Sequence, residues 1–341
     1  MQPIKALGGL AFAVFLGGLT AASTWADDVP KSLKFAAAFP AGIENAWVRS
    51  WVDAFERVQA AAPHGLELEL DYTESVFGDK GLAVLETYAE SGEYDIMWAH
   101  SSFSDEVEEL MGEYPDIAFV TVGAGNRPLG GNSYLIYMHL HEPSYLMGIF
   151  AGKMTKTGQI GAVGLFPADD VNDQINAYRA GAQSVNPDAQ LKVSFIESWY
   201  DPAKAAEAAN AQIAAGADII FQLGESFQVC KEKLVMCLGN YIDMNEVAPD
   251  VVPTSTLVNW DPQINYIIDE WKNHKETGEP YDAPEEKVWF SMADGGGDIA
   301  PYHGFEDKVP ADVKQAIEQA KADILAGELT VEFDTSLPTS D

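Results

Sequence analysis

The feature that most constrains this chain is an alternation of strand-like and helix-like segments that runs through it twice. Residues 33–39 form an apolar run bounded by Pro40 and Gly42, which reads as a strand. Residues 45–62 place Trp47, Trp51, Val52, Phe55 and Val58 at helical spacing. Strands are then expected over 66–72, 94–98 and 117–122, with helices over 81–90 and 105–111 between them. The second series has helices over 146–154, 171–185, 203–215 and 227–234. Its strands are expected over 160–166, 192–196, 219–223 and 236–241. Strands linked by helices pair in parallel through right-handed crossovers, so each series predicts an open parallel sheet covered by helices. The remaining segments, 252–257, 262–275, 288–292 and 309–326, return to both halves. The chain therefore reads as two α/β lobes around a cleft. Passages between them are expected near 139–145, 257–262 and 292–298. The first lobe spans 27–140 plus about 260–292, the second 141–257 plus about 298–330, and 331–341 is a tail.

Residues 1–26 read as a separate object. Lys5 precedes an apolar run over 7–19, too short for a comfortable membrane span, and small residues lead to Ala26 before Asp27 and Asp28. This is the pattern of a cleavable secretory signal, and it predicts export to the periplasm. No cysteine lies near the expected cleavage point, so a lipid anchor is not expected. The chain has 53 Asp+Glu against 20 Lys+Arg, a formal charge of −33. Nucleic acid and anionic membranes are bound by clustered cations, so that balance excludes both as partners. The acids are spread along the chain and read as a solvated face of the kind salty habitats favour.

Ligands of open α/β sheets sit beyond the carboxyl ends of the strands. Here the turns after the strands repeatedly carry aromatics and carboxylates: Trp47, the His100–Phe103 turn, Asp169 and Asp170, Trp199 and Tyr200, Glu225, Tyr241 and Asp243, Trp260, and Asp294. Aromatics offer stacking area and carboxylates accept from ring N–H groups. No nucleophile elbow, HExxH, P-loop or CxxC pair is present, so neither an enzyme nor a bound cofactor is expected. His139 and His141 alternate along what reads as an interlobe strand; with no Cys or third His nearby, a metal centre is not expected. Cys230 and Cys237 are seven residues apart. On one continuous helix they would be out of disulfide reach, whereas a helix-to-strand turn would bring them together.

Several stretches carry a resemblance. Residues 145–161 (YLMGIFAGKMTKTGQIG), 180–188 (AGAQSVNPD), 198–204 (SWYDPAK), 216–222 (GADIIFQ), 248–250 (APD) and 298–302 (DIAPY) resemble the basic membrane protein (BMP, PnrA-like) family of ABC-transporter solute-binding proteins. The resemblance implies a two-lobed type I periplasmic binding protein, monomeric, that closes on a small molecule and delivers it to an ABC permease. It also implies roles for single residues. Trp47 matches an aromatic that stacks on a purine ring. Phe103 and Trp260 fall where other aromatics line the cleft. Glu225 and Asp294 match acidic positions. Asp243 matches the second carboxylate of a Gly-x-Asp-x-Asp turn, in which Tyr241 replaces the first. Trp199 and Trp260 look like the branch that takes purine bases. Nucleoside-binding members carry a lysine near position 258, where this chain has Val258. The expected ligand is therefore a purine base or a similar heteroaromatic, with nucleoside, riboflavin or a sugar-like ligand as alternatives, and a signalling receptor as the alternative to transport.

Overall fold

The computed structural model describes residues 30–341; the expected leader over 1–26 lies outside them. The first lobe begins β1 (Ser32–Ala38), α1 (Ala46–Ala61), β2 (Glu67–Thr73), α2 (Gly81–Ser91), β3 (Ile96–Ala99), α3 (Ser104–Met111), β4 (Ala118–Thr121) and β5 (Ser133–Met138). The chain then crosses into α4 (His141–Met154), β6 (Gln159–Gly164), α5 (Asp169–Val185), β7 (Gln190–Phe195), α6 (Pro202–Ala214), β8 (Ile219–Gln222), α7 (Phe227–Lys233), β9 (Met236–Leu238) and β10 (Thr256–Val258). It returns with α8 (Asp261–Thr277) and β11 (Val288–Phe290), then crosses again into β12 (Gly297–Ile299) and α9 (Ala311–Leu325).

Two parallel sheets result, of order β11-β5-β4-β3-β1-β2 and β7-β6-β8-β9, with an antiparallel β10-β12 pair. All pairings within the two larger sheets are parallel, and helices flank them. This is the α/β architecture expected from the alternation.

Local chemistry sets the element ends. The Asn45 side chain accepts from the Val48 N–H (3.2 Å) and caps α1, while Ala62 takes a left-handed φ of 47° and stops it. Along α1, Trp51 and Phe55 stack one turn apart (5.5 Å) and are fully buried. Burying side chains of this size contributes about 2–3 kcal/mol each. Helices α4 and α5 cross at their closest where both lack side chains. A Cβ on Gly148 would strike the Tyr178 carbonyl, and one on Gly181 the Tyr145 carbonyl.

Three details depart from or complete the sequence reading. The strand expected to carry both histidines ends at Met138, and His141 instead opens α4, whose first turn holds Glu142 and Pro143. Proline is tolerated there because the first turn's N–H groups have no helical partner, and the acid complements the helix dipole. Cys230 and Cys237 form a disulfide (Cα–Cα 6.1 Å): Leu234 turns left-handed at φ 54° and folds β9 back beside α7. Residues 334–341 lie along α5 and β7. Asn176 donates to the carbonyls of Asp334 (3.0 Å) and Ser336 (2.8 Å), and Asp341 exchanges bonds with the backbone of Leu191.

Candidate ligand site

Turns from both sheets face one another across a cleft. Its walls come from the turn after β1 with the start of α1, from the His100–Ser102 turn after β3, from the turn after β4, and from Tyr137 on β5. The second lobe adds Leu165, Asp170, Trp199 and Tyr241.

Trp47 forms the flat wall. Its indole stacks on the His100 imidazole (centroids 5.1 Å, 25° between planes). T-shaped contacts with Tyr241 (5.2 Å) and Trp260 (4.9 Å) hold it in place. The orientation is set further back: buried His100 accepts the Trp98 indole N–H on Nδ1 (3.0 Å), so its own proton sits on Nε2. Burial pushes the His100 pKa down to about 3, which keeps the ring neutral.

Asp170, at the start of α5, lines the same cleft. Its Oδ2 accepts from the Ala124 N–H (3.0 Å) and the Tyr137 hydroxyl (3.2 Å), both in the first lobe. The β4 turn can approach because Gly123 holds φ 88° and has no side chain; a Cβ there would come within 3.3 Å of the same oxygen. Oδ1 of Asp170 is shielded from solvent and has no hydrogen-bond partner. Burial raises the Asp170 pKa against the opposing Ala124 and Tyr137 hydrogen bonds.

A second carboxylate also bridges the lobes. Glu225 Oε1 accepts from the Ala46 N–H (3.0 Å) at the first turn of α1, and the Asn45 amide lies 3.5 Å away. Burial raises its pKa to about 7, outweighing the Ala46 hydrogen bond, and Glu44 adds to the rise. The turns after β7, β8 and β9 each hold a non-glycine residue at positive φ: Glu197 (51°), Glu225 (58°) and Tyr241 (70°). Such backbone costs of order 1 kcal/mol or more per residue, and it concentrates where side chains are aimed at ligands.

Of the residues expected from sequence, Trp47 and Trp199 line the cleft, the latter edge-on to Phe166 (5.0 Å). Glu225 borders it through the interlobe bond and lines an adjoining recess with Pro202 and Phe227. The other four lie elsewhere. Phe103 is buried on the opposite face of the first sheet, its ring against Gly81. Trp260 is fully buried behind Trp47, and its indole donates to Ser50 (3.0 Å). Asp243 pairs with His303 (2.6 Å) and lines a separate groove near Arg57 and Lys321. Asp294 is exposed and closes its own turn by accepting from Ser291, which lowers its pKa. In their place the structure brings in Asn45, Tyr137, Asp170 and Tyr241. Asp170 and Tyr241 were visible as turn residues; Tyr137 lies inside a fully buried strand and gave no signal.

The arrangement offers a π face, further aromatic edges and a buried acceptor. It can hold a flat molecule that stacks and donates. Among the described residues no helix is long and apolar enough to cross a membrane. A family model described as ABC transporter substrate-binding protein PnrA-like matches residues 34–282. A purine-binding protein of Brucella abortus is 31% identical over 277 residues, 78% of this chain and 73% of that protein. A Haloferax volcanii protein, provisionally named an ABC transporter glucose-binding protein, is 36% identical over 180 residues, 52% of this chain and 45% of that one. In fold, the crystal structure of a solute-binding protein of an ABC transporter system from Aeropyrum pernix superposes with a TM-score of 0.74 at 16% identity, over 89% of this chain and 94% of that one.

Proposed function

This chain belongs to the PnrA-like family of ABC transporter substrate-binding proteins, which bind and deliver small molecules and are not enzymes, and from that membership we propose that it captures a purine base. The base sits in the interlobe cleft, stacked on Trp47, with a ring N–H donating to Asp170 Oδ1. Trp199 and Tyr241 close the remaining sides. The monomeric protein is exported by residues 1–26, works in the periplasm and hands its ligand to a permease.

The observation that carries this reading is the shielded, unpartnered Oδ1 of Asp170 in the same cleft that the oriented Trp47 indole lines. A charge-assisted hydrogen bond to a buried donor contributes about 1.5–3 kcal/mol, and base–aromatic stacking about 1–3 kcal/mol per contact. A purine base supplies both from one flat ring. The Brucella abortus relative's name supports the same ligand class.

A thermal-shift and calorimetric series tests it: adenine and hypoxanthine, their nucleosides, riboflavin, and D-glucose. A ligand at 100 times its dissociation constant stabilises by about 2.7 kcal/mol, which a melting curve resolves. A response to bases is expected. A response to glucose or riboflavin alone would replace this reading.

A further inference from the structure

The first and third passages between the lobes meet beside α4. His139 lies in the first passage, and its backbone N–H donates to the Phe290 carbonyl (2.9 Å). His141 and Glu142 open α4. Glu142 Oε2 accepts the Met292 N–H of the third passage (2.6 Å), while its Oε1 lies 3.1 Å from His139 Nδ1. The two imidazole centroids are 4.9 Å apart. One ligand atom from each of His139, His141 and Glu142 lies within 4.8 Å of the other two.

Two further observations point into this cluster. His141 is buried, and its Nδ1 has no hydrogen-bond partner. Asp173 is fully buried 3.8 Å from that nitrogen, and neither of its carboxylate oxygens has a partner. Buried carboxylates are ordinarily paired or beside a metal, because an uncompensated buried charge is expensive. Lys287 sits over the rings of Trp289 (4.7 Å) and Tyr137 (5.3 Å).

Two imidazoles and one carboxylate are a donor set that suits a borderline divalent transition ion. The Met292 N–H already holds the second oxygen of Glu142, as outer-shell partners hold ligating carboxylates. We propose that His139, His141 and Glu142 bind a Zn²⁺-class dication, with water completing the shell and the Asp173 carboxyl behind it. Donors at about 2.0–2.1 Å from zinc lie about 3.4 Å apart, so the side chains draw in by roughly 1 Å. Half-exposed His139 supplies most of that movement. The ion fixes the first passage to the start of α4, whose Glu142 already accepts the Met292 N–H of the third passage, and so stiffens the hinge.

The test is calorimetric titration of the chelator-stripped full chain with ZnCl₂, with MgCl₂ and CaCl₂ as controls. One Zn²⁺ per chain is expected. Affinity should fall at least tenfold in His139→Ala and in Glu142→Gln, and the alkaline-earth ions should not compete. Buried His141 is left intact so that the variants fold, which circular dichroism checks. Co²⁺ gives a second readout: visible d–d bands of a low-coordinate site in the native chain, lost in His139→Ala. With so acidic a chain, Zn²⁺ binding that both variants retain belongs to surface carboxylates and overturns the proposal, as does no binding at all.

Discussion

Asp170 of the second lobe accepts the Tyr137 hydroxyl of the first at 3.2 Å, and the same oxygen takes the Ala124 N–H at 3.0 Å. One carboxylate oxygen therefore joins the lobes while the other is shielded and without a partner. If that second oxygen accepts from the ligand, Asp170 must be ionised for full affinity. Burial raises its pKa, so binding holds above that value and is lost as pH falls through it, beginning above the ordinary carboxylate range. Asp170→Asn keeps the shape and removes the charge. We expect it to weaken base binding about tenfold and to flatten the acid limb of the affinity profile. Calorimetry from mildly acidic to neutral pH checks both. An unchanged acid limb in the variant would remove Asp170 from the site.

Trp47 is held in its orientation, because His100 stacks on one face while Trp260 and Tyr241 make T-shaped contacts with it. A pre-set ring loses little entropy on binding, so its stacking energy reaches the ligand largely intact. Trp47→Ala should weaken base binding by tenfold or more at an unchanged far-ultraviolet spectrum. Retained affinity in a folded variant would make Trp47 a packing residue.

The fold was readable because its strands are short apolar runs punctuated by Pro and Gly, and its helices carry apolar faces at helical spacing. The site was readable only in part, for identifiable reasons. Trp47 and Trp199 stand directly after strands, where the topology aims side chains at the cleft. Asp170 stands there too, but acids at a helix start are common because the dipole favours them. Tyr137 belongs to a strand buried on both faces, which has no alternation to separate a cleft residue from a core one. Phe103 and Trp260 occupy equivalent turn positions, yet each has a partner that sequence does not reveal: Gly81 leaves room for the Phe103 ring, and Ser50 accepts the Trp260 indole N–H. Asp243 finds its hydrogen-bond partner in His303, sixty positions away.

Glu225 predicts a pH-dependent lobe closure. In the closed arrangement its pKa is about 7, mainly through burial, whereas a solvated glutamate titrates near 4.5. The closed form therefore binds more protons between those values, and closure without ligand strengthens as pH falls through about 7. Glu44 adds repulsion, and the Ala46 N–H offsets part of the burial cost. X-ray scattering of the ligand-free protein should give a smaller radius of gyration at pH 5.5 than at pH 8. Glu225→Gln should remove most of that difference. A radius independent of pH in the native chain would show that the Glu225 contact does not govern closure.

The α4–α5 crossing should be intolerant of even one added carbon. A Cβ on Gly181 meets the Tyr145 carbonyl, a backbone atom that cannot swing aside. Overpacking of this kind costs about 1–3 kcal/mol. Gly181→Ala should lower the melting temperature by several degrees, while the affinity for bases at low temperature stays within about twofold. An unchanged melting temperature would mean the two helices separate freely.

The base should be preferred to its nucleoside. A ribose presents two neighbouring hydroxyls, which bind best to a carboxylate or amide with free acceptors. Of the two carboxylates that the resembling Gly-x-Asp-x-Asp turn would offer, the first position is Tyr241, packed edge-on against Trp47, and the second, Asp243, is engaged with His303. Position 258 is valine, so no amine stands there to meet a ribose oxygen. The interlobe bonds of Asp170 and Glu225 further limit how far the cleft can widen without breaking three contacts. A nucleoside would also lose the N–H at its glycosidic nitrogen, one of the donors that a buried acceptor discriminates by. Adenine and hypoxanthine should therefore bind at least tenfold more tightly than adenosine and inosine in competition titrations. His303→Ala, which frees Asp243, is expected to leave that ratio unchanged, because Asp243 lines a different groove. Equal affinity for base and nucleoside in the native protein would show that the cleft holds ribose through Asn45, Ser101 or Ser102, and the base-specific reading would fall while the family assignment stood.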